Sequence, residues 1–239
     1  MSPSLINITP ELTTSVAAKS KAVQTLLAGI AANWAPAAFA NSLGAEDMVL
    51  TDLIVKAKLP IEIFSLDTGR LPRETYDLMD ALRKHYGLKL KIYFPQAEEV
   101  EAFVRNHGIN GFYDSVTLRK ACCGVRKVEP LKRALAGKRA WITGLRAQQA
   151  STRTGLPFRE YDEGNGLEKF NPLSDWPEKE VWVYIKLNDV PYNALHDKFY
   201  PSIGCAPCTR AISPGEDVRA GRWWWENPET KECGLHVKG

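Results

Sequence analysis

From Val23 onward, apolar residues recur at helical spacing (Val23, Leu26, Leu27, Ile30), which predicts a helix over residues 12–33. Past Pro36 the pattern changes to short apolar runs separated by longer amphipathic ones. Residues 37–40, 61–66, 88–94 and 139–143 read as strands, and 45–58, 72–85 and 97–106 as the helices between them. Residues 116–135 read as mostly helical, divided by Gly124 and Pro130. This alternation predicts an α/β protein with a mostly parallel sheet and helices on both faces. After Arg146 the periodicity fades. Residues 151–176 are rich in Gly, Pro, Arg and acids and read as a surface loop holding one short strand, followed by a helix over 177–187 with Pro177 in its first turn. From Tyr200 the chain carries Pro201, Gly204, Pro207, Pro214, Gly215, Gly221 and Pro228 and little pattern. The expected organisation is an α/β domain over residues 1–200 with an irregular C-terminal segment, 201–239, packed on it.

Composition adds limits. The 239 residues are 44% hydrophobic and 25% charged, enough for one large domain with a sizeable core. The net charge of +3 falls short of the excess expected of a dedicated nucleic-acid binder. No run of about 18 uncharged apolar residues predicts a membrane span. The apolar stretch near residues 26–39 lies too far in, and is too broken by Asn33 and Pro36, for a secretory signal. A cytoplasmic location is expected, with neither membrane nor nucleic acid as partner.

Five cysteines in such a compartment are expected to stay reduced unless they bind metal or react. They fall as an adjacent pair (Cys122, Cys123), a Cys205-Ala-Pro-Cys208 turn and a single Cys233. Cys205 and Cys208 can place both sulfurs on one side of a turn that Pro207 stiffens. Adjacent cysteines on a helix point roughly 100° apart, so both ligate only a wide centre, which favours an iron–sulfur cluster over one zinc ion. A zinc half-site, a redox pair, plain buried thiols, and zinc ligation by Cys233 with His236 stand as alternatives.

No Walker-type phosphate loop, Gly-x-Gly-x-x-Gly, His-Glu-x-x-His or Gly-x-Ser-x-Gly is present. Three expected strand ends instead carry small or polar loops, which places a ligand site at the carboxyl edge of the sheet. The first, Ser42-Leu43-Gly44-Ala45-Glu46-Asp47, opens a helix, where backbone N–H groups and the helix dipole favour an anion; ordinary N-capping is the competing reading. The others are Asp67-Thr68-Gly69-Arg70 and Gly144-Leu145-Arg146. Arginines and lysines recur beside these loops and the cysteines (Arg70, Arg119, Arg126, Lys127, Arg146, Arg153, Arg219, Arg222), as an anionic ligand would require.

Taken in order, these segments resemble the assimilatory adenylyl-sulfate (APS) reductases of the PAPS/APS reductase family. The resemblance rests on 42–47, Leu66-Asp67-Thr68-Gly69-Arg70, Cys122-Cys123-Gly124-Val125-Arg126-Lys127, Thr143-Gly144-Leu145-Arg146, Gly204-Cys205-Ala206-Pro207-Cys208-Thr209-Arg210, Gly221-Arg222-Trp223-Trp224-Trp225-Glu226 and Lys231-Glu232-Cys233-Gly234-Leu235-His236. It implies an adenine-nucleotide α-hydrolase-like, Rossmann-type fold and a [4Fe–4S] cluster on Cys122, Cys123, Cys205 and Cys208. Cys233 is then the nucleophile, with Lys127, Arg219, Arg222 and His236 near the phosphosulfate. Ser42, Leu43, Gly44, Ala45, Glu46, Asp47, Asp67, Thr68, Gly69, Arg70, Gly144, Arg146 and Arg153 are the expected substrate contacts. The related PAPS reductases lack the two cysteine pairs, so APS is the expected substrate and PAPS, or both nucleotides, the alternative. In place of the Ser-Gly-Gly-x-Asp-Ser of related ATP pyrophosphatases, Leu43 replaces the first Gly and Asp47 the final Ser. The carboxylates of Glu46 and Asp47 would oppose a polyphosphate.

The expected reaction is attack of the Cys233 thiolate on the sulfur of APS, releasing AMP and leaving a cysteine S-sulfonate. Lys127, Arg219 and Arg222 would lower the thiol pKa and screen the approach of two anions, while His236 orients or deprotonates the thiol. Thioredoxin or glutaredoxin would then release sulfite, the cluster fixing the site and shaping its field without donating electrons. With Cys233 six places from the end of the sequence, the tail is expected to swing between closed and open poses. Trp223-Trp224-Trp225 is expected to pack the tail onto the main domain, ahead of stacking on adenine or docking thioredoxin. Homo-oligomerisation is an open option. A zinc-bearing nucleic-acid-modifying protein and a non-catalytic cluster sensor are the rivals from other classes; the first is opposed by the +3 charge, the second by a fifth thiol and the nucleotide loops.

Overall fold

The structure, a computed structural model, describes residues 6–149 and 155–227. Thr9 caps helix α1 (Pro10–Asn33) by accepting the Leu12 N–H, and Pro10 occupies the first turn, where its missing N–H costs nothing. The chain then alternates strictly: β1 (Ala37–Ala40), α2 (Ala45–Lys56), β2 (Ile61–Leu66), α3 (Arg73–Tyr86), β3 (Lys91–Tyr93), α4 (Ala97–His107). Gly87, in the left-handed region at φ 66°, closes α3. Helix α5 (Val116–Cys123), α6 (Glu129–Leu135), strands β4 (Ala140–Ile142), β5 (Arg159–Asp162) and β6 (Leu167–Phe170), and α7 (Glu178–Leu187) complete the regular elements.

The sheet runs β3-β2-β1-β4-β6-β5, parallel throughout except for β5 at one edge. Successive strand residues face opposite sides, and two cores follow from that alternation. Ala37, Phe39, Ile61, Ile63 and Ile142 join the larger core under α1, α2, α3 and α7. Ala38, Phe64 and Trp141 join a smaller one under α6 through Leu131, Ala134 and Leu135. Strand order reverses between β1 and β4, with β2 and β3 added to one side and β6 to the other. That reversal opens a crevice at the carboxyl ends of β1 and β4.

Three expectations need correction. Residues 151–176 hold an antiparallel pair, β5 and β6, where one strand was expected; Arg159 and Tyr161 of β5 are exposed and Glu160 and Asp162 between and after them are polar, so no apolar alternation marks it. The third strand is shorter than 88–94, because Leu88 and Leu90 turn onto the main core before pairing begins. Residues 116–135 are not divided at Gly124 or Pro130. A π-helical stretch, Gly124–Val128, joins α5 to α6, with the Glu129 N–H bonded five residues back to the Gly124 carbonyl. That wide turn accommodates the donor that Pro130 lacks.

Candidate functional site

The loop after β1 is shaped by its own side chains. Asn41 accepts the Leu43 N–H at 2.7 Å and donates to Thr51 Oγ1 at 2.8 Å. Leu43 is held at φ 65°, a strained value for a residue with a Cβ, and its side chain is buried in the main core. Ser42 donates both its N–H and its hydroxyl to Asp47 Oδ2, each at 2.6 Å. Burial pushes the Asp47 carboxyl up to about 7, against the opposing pull of its bonds from Ser42 and the Gly144 backbone. Gly144, after β4, has no room for a Cβ, which would overlap Asp47 Oδ1. The two loops are tied a second time by Arg146 Nε to Glu46 Oε1 at 2.8 Å, both side chains being largely buried.

Two contiguous cavities open on this edge. The smaller, 170 Å³, is walled by Phe64, Leu66, Leu131, Trp141 and Leu145 together with Ser42, Asp47, Thr68 and Gly144. The larger, 530 Å³, carries Gly44, Ala45, Arg146, Lys127, Arg219 and Arg222. Ser42, Glu46, Lys127, Leu145 and Ile203 belong to both. An apolar slot beside a cationic chamber suits a flat base joined to an anion.

Of the loop after β2, Thr68 and Leu71 reach the smaller cavity. Asp67 shapes the turn, accepting from the Gly69 N–H at 2.7 Å and the Tyr76 hydroxyl at 2.9 Å. Arg70 is turned outward onto the Ile109 carbonyl, Asn110 Oδ1 and the Phe112 ring, so the expected ligand contact by Arg70 is instead a packing contact. Asp67 and Gly69 likewise, with Leu43, line neither cavity. This loop braces the thiols: Thr68 Oγ1 shares a 3.2 Å hydrogen bond with Cys205 Sγ, and the Thr68 carbonyl accepts from Arg126 at 2.7 Å.

Cys122 and Cys123 end α5, and a short 3-10 turn, Ala206–Cys208, presents Cys205 and Cys208. All four are free of disulfides. The Ala206 N–H bonds the Arg70 carbonyl, the Tyr113 hydroxyl bonds the Pro207 carbonyl, and the Trp223 N–H bonds the Cys208 carbonyl. Burial pushes the Cys208 thiol up to about 12, and the neighbouring Cys205 and Cys122 add to that while Lys127 and Arg222 oppose it. Burial likewise pushes Cys122 up, with Arg126 opposing. Among the described residues no three His, Cys, Asp or Glu side chains converge as they would around a single metal ion.

Tail residues close the cationic chamber. Arg222 donates to the Ile203 carbonyl at 3.1 Å, lies over the Trp223 ring, and packs so tightly on Gly204 that any Cβ there would overlap its guanidinium. Arg219 lines the same wall. Arg119 forms a bidentate pair with Glu226, 2.9 and 2.8 Å, both side chains nearly fully buried, and its guanidinium lies over the Trp223 ring, 4.7 Å from the centroid. Trp223 is buried and Trp225 packs on Tyr113, so these two rings attach the tail to the main domain; Trp224 is half exposed. Cys233, His236 and Arg153 lie outside the described residues. Sequence reasoning missed Gln149, Glu178, Trp182 and His196, which complete the larger cavity. Nothing in their local pattern marks them; they converge through the packing of α7 and the 3-10 turns Ala147–Gln149 and Ala194–Lys198.

A family profile described as the phosphoadenosine phosphosulfate reductase domain matches residues 36–211, spanning the β1, β2 and β4 loops and all four described cysteines. The chain belongs to this family. It is 65% identical to the adenosine 5′-phosphosulfate reductase of Allochromatium vinosum, over 83% of this chain and 77% of that one. It is 54% identical to the enzyme of the same name from Burkholderia cepacia, over 96% and 90%. Among solved structures, it resembles the phosphoadenylyl-sulfate reductase of Candida auris in its phosphate complex (TM-score 0.68, 31% identity, 87% of this chain and 99% of that one). It shares its fold with yeast FAD synthetase (TM-score 0.59, 17% identity, 88% and 72%). Membership of the family agrees with the α/β fold expected from the alternating pattern. Among the described residues no helix is long and apolar enough to cross a membrane.

Proposed function

We propose that this protein reduces adenosine 5′-phosphosulfate to sulfite and AMP, with Cys233 as nucleophile and a dithiol protein such as thioredoxin or glutaredoxin as reductant. The observation that carries this reading is the position of Lys127. Its side chain lines both cavities and its charge bears on Cys208, so one cation lies between the nucleotide chamber and the thiols. The relatives that bear the name adenosine 5′-phosphosulfate reductase agree with it.

The smaller cavity would take the adenine against Leu66, Trp141 and Leu145, its polar edge reaching the Ser42 and Gly144 loops. The phosphosulfate would lie in the larger cavity, against Lys127, Arg219 and Arg222. There the Cys233 thiolate attacks sulfur, the S–O bond to AMP breaks, and a cysteine S-sulfonate forms. A reductant thiolate then attacks the Cys233 sulfur and displaces sulfite; the second thiol of the reductant closes its own disulfide and frees Cys233. His236 would orient or deprotonate the attacking thiol.

Cys122, Cys123, Cys205 and Cys208 fit a polynuclear iron–sulfur centre. Cys122, Cys205 and Cys208 act on one another electrostatically and Cys123 adjoins Cys122 in the chain, while burial keeps Cys208 and Cys122 protonated unless a strong cationic partner is supplied. A [4Fe–4S] cluster bound there would supply that charge through its iron ions and would tie α5 to the tail turn. The residues that would tune it are Thr68, Arg126 and Lys127.

The test is anaerobic. Protein incubated with APS should gain one SO₃ group by intact mass, and reduced thioredoxin should discharge it as sulfite; Cys233→Ser should show no gain. Iron and sulfide analysis should find four of each per chain on the order of a full cluster. A sulfonated Cys233→Ser protein would overturn the nucleophile, and PAPS turned over in preference to APS would reassign the substrate.

A further inference from the structure

Just past the cysteine turn the chain leaves and returns through a narrow neck. Thr209 bridges antiparallel to Arg222, the Arg210 N–H bonds the Gly221 carbonyl at 3.0 Å, and a Cβ on Gly221 would overlap the Arg210 carbonyl. The loop between these points forms one wall of the larger cavity, to which it brings Ser213, Glu216, Val218 and Arg219. Within the loop, Glu216 Oε2 accepts the Ser213 N–H at 2.6 Å and the Glu216 N–H returns to the Ser213 carbonyl at 3.1 Å, closing a tight turn. Arg210 grips the same carboxylate with both arms of its fork, Nη2 to Oε1 at 2.9 Å and Nη1 to Oε2 at 3.0 Å, and Nη1 also donates to the Ala211 carbonyl at 2.8 Å. Arg210 does not itself line the cavity.

This arrangement answers an electrostatic difficulty. Lys127, Arg219 and Arg222 suit the larger cavity to an anion, yet its wall also carries the carboxylates of Glu46, Glu178 and Glu216. A carboxylate there opposes the ligand. Glu46 is held by Arg146 at 2.8 Å. Glu216 is required by the turn it closes, and the Arg210 fork engages both of its oxygens, so it meets the chamber as half of a neutral pair. With the two side chains 39% and 33% exposed, solvent and salt reach the pair, and its influence on the chamber is modest and screenable.

We propose that Arg210 is a positioning residue for the anionic end of the substrate: acting through Glu216, whose charge it compensates, it lets a loop that carries a carboxylate serve as the wall of an anion site. This rests on the reading above that the phosphosulfate occupies the larger cavity. Arg210 thus works from outside the cavity, and its effect is carried wholly by the carboxylate it holds.

Calorimetry on the full chain with AMP and with adenosine tests this without turnover. Arg210→Gln should weaken AMP by about two- to fivefold, the range of a solvent-exposed charge pair, and leave adenosine unchanged. That loss should fade at about 1 M salt, where the Debye length is roughly 3 Å. Adding Glu216→Gln to Arg210→Gln should restore AMP binding, because the charge that needed compensation is gone; a purely structural contribution of Arg210 would not be rescued by removing its partner. Glu216→Gln alone, which keeps an acceptor for the Ser213 N–H, should bind AMP at least as tightly as the unaltered protein. A double variant as weak as Arg210→Gln, or weaker AMP binding by Glu216→Gln alone, would overturn the proposal. The unaltered protein separates the two layers. If it binds AMP no more tightly than adenosine, the anion is misplaced and the proposed function loses its geometry along with this inference. If it prefers AMP, and Arg210→Gln costs AMP nothing or costs adenosine equally, this inference alone falls.

Discussion

At the sheet edge, the loop after β1 closes on itself through bonds spanning two residues (Asn41 to Leu43), five (Ser42 to Asp47) and ten (Asn41 to Thr51). Around the cysteines, the corresponding ties span 137 residues (Thr68 to Cys205), 107 (Arg119 to Glu226) and 94 (Tyr113 to Pro207). The first region forms wherever the strand and helix form. The second exists only after distant parts of the chain have met, and it has few regular elements of its own. Loop-closure entropy makes such ties harder to establish, so the cysteine side depends on a small number of strong contacts, while the sheet-edge side is held redundantly.

Breaking one strong contact should therefore have the largest effect. Glu226→Gln leaves the Arg119 guanidinium, 1% exposed, without its carboxylate, and unpairing a buried ion pair costs about 3–5 kcal/mol. Urea unfolding should show a loss of that size, and nucleotide binding to the remaining fold should survive better than sulfite formation. A loss below about 1 kcal/mol, the value of an exposed pair, would show that the tail is held elsewhere.

The sheet edge makes a different prediction. Asp47 ionises near pH 7 when folded and near 4 when unfolded, so between those values the folded chain binds the extra proton. Stability present below about pH 4 should decline as pH rises to about 7, by about 1.4 kcal/mol per unit. Urea midpoints measured across that window should slope downward, and Asp47→Asn should flatten the slope. An unchanged slope in that variant would place the titration on another group.

The smallest effect belongs to Gly144→Ala. Its Cβ would press on Asp47 Oδ1, an overpacking cost of about 1–3 kcal/mol, and AMP affinity should fall with it. Full affinity in the variant would mean that the two loops can separate without harm to the nucleotide side.

This same contrast explains what could be read from the sequence. The parallel sheet and the three strand-end loops were legible, because period-2 and period-3.6 patterns and small polar residues are local signals. The cysteine pairs were legible as spacing. Arg70 was misleading: a cation at a strand end looks like an anion contact, and only the fold shows it turned onto Phe112. His196 was invisible as a cavity residue, since a single histidine in a polar turn carries no pattern and it comes to the cavity wall by packing on Trp182 of another element. Strand β5 escaped because its residues are largely outward-facing.

The π-helical stretch from Gly124 to Val128 carries a consequence for how this chain tolerates change. Such a stretch amounts to one residue more than a regular helix would hold in the same length. Removing Val125 would close the wide turn to a regular one with the flanking faces kept in register, but Pro130 would then stand where the ladder needs a donor, its ring pressed against the Arg126 carbonyl. The helix that carries the cysteine pair and Lys127 would then bend or break at Pro130, although none of those residues had been altered. The extra residue and the proline are thus matched, and a deletion in this segment has to be paired with replacement of Pro130.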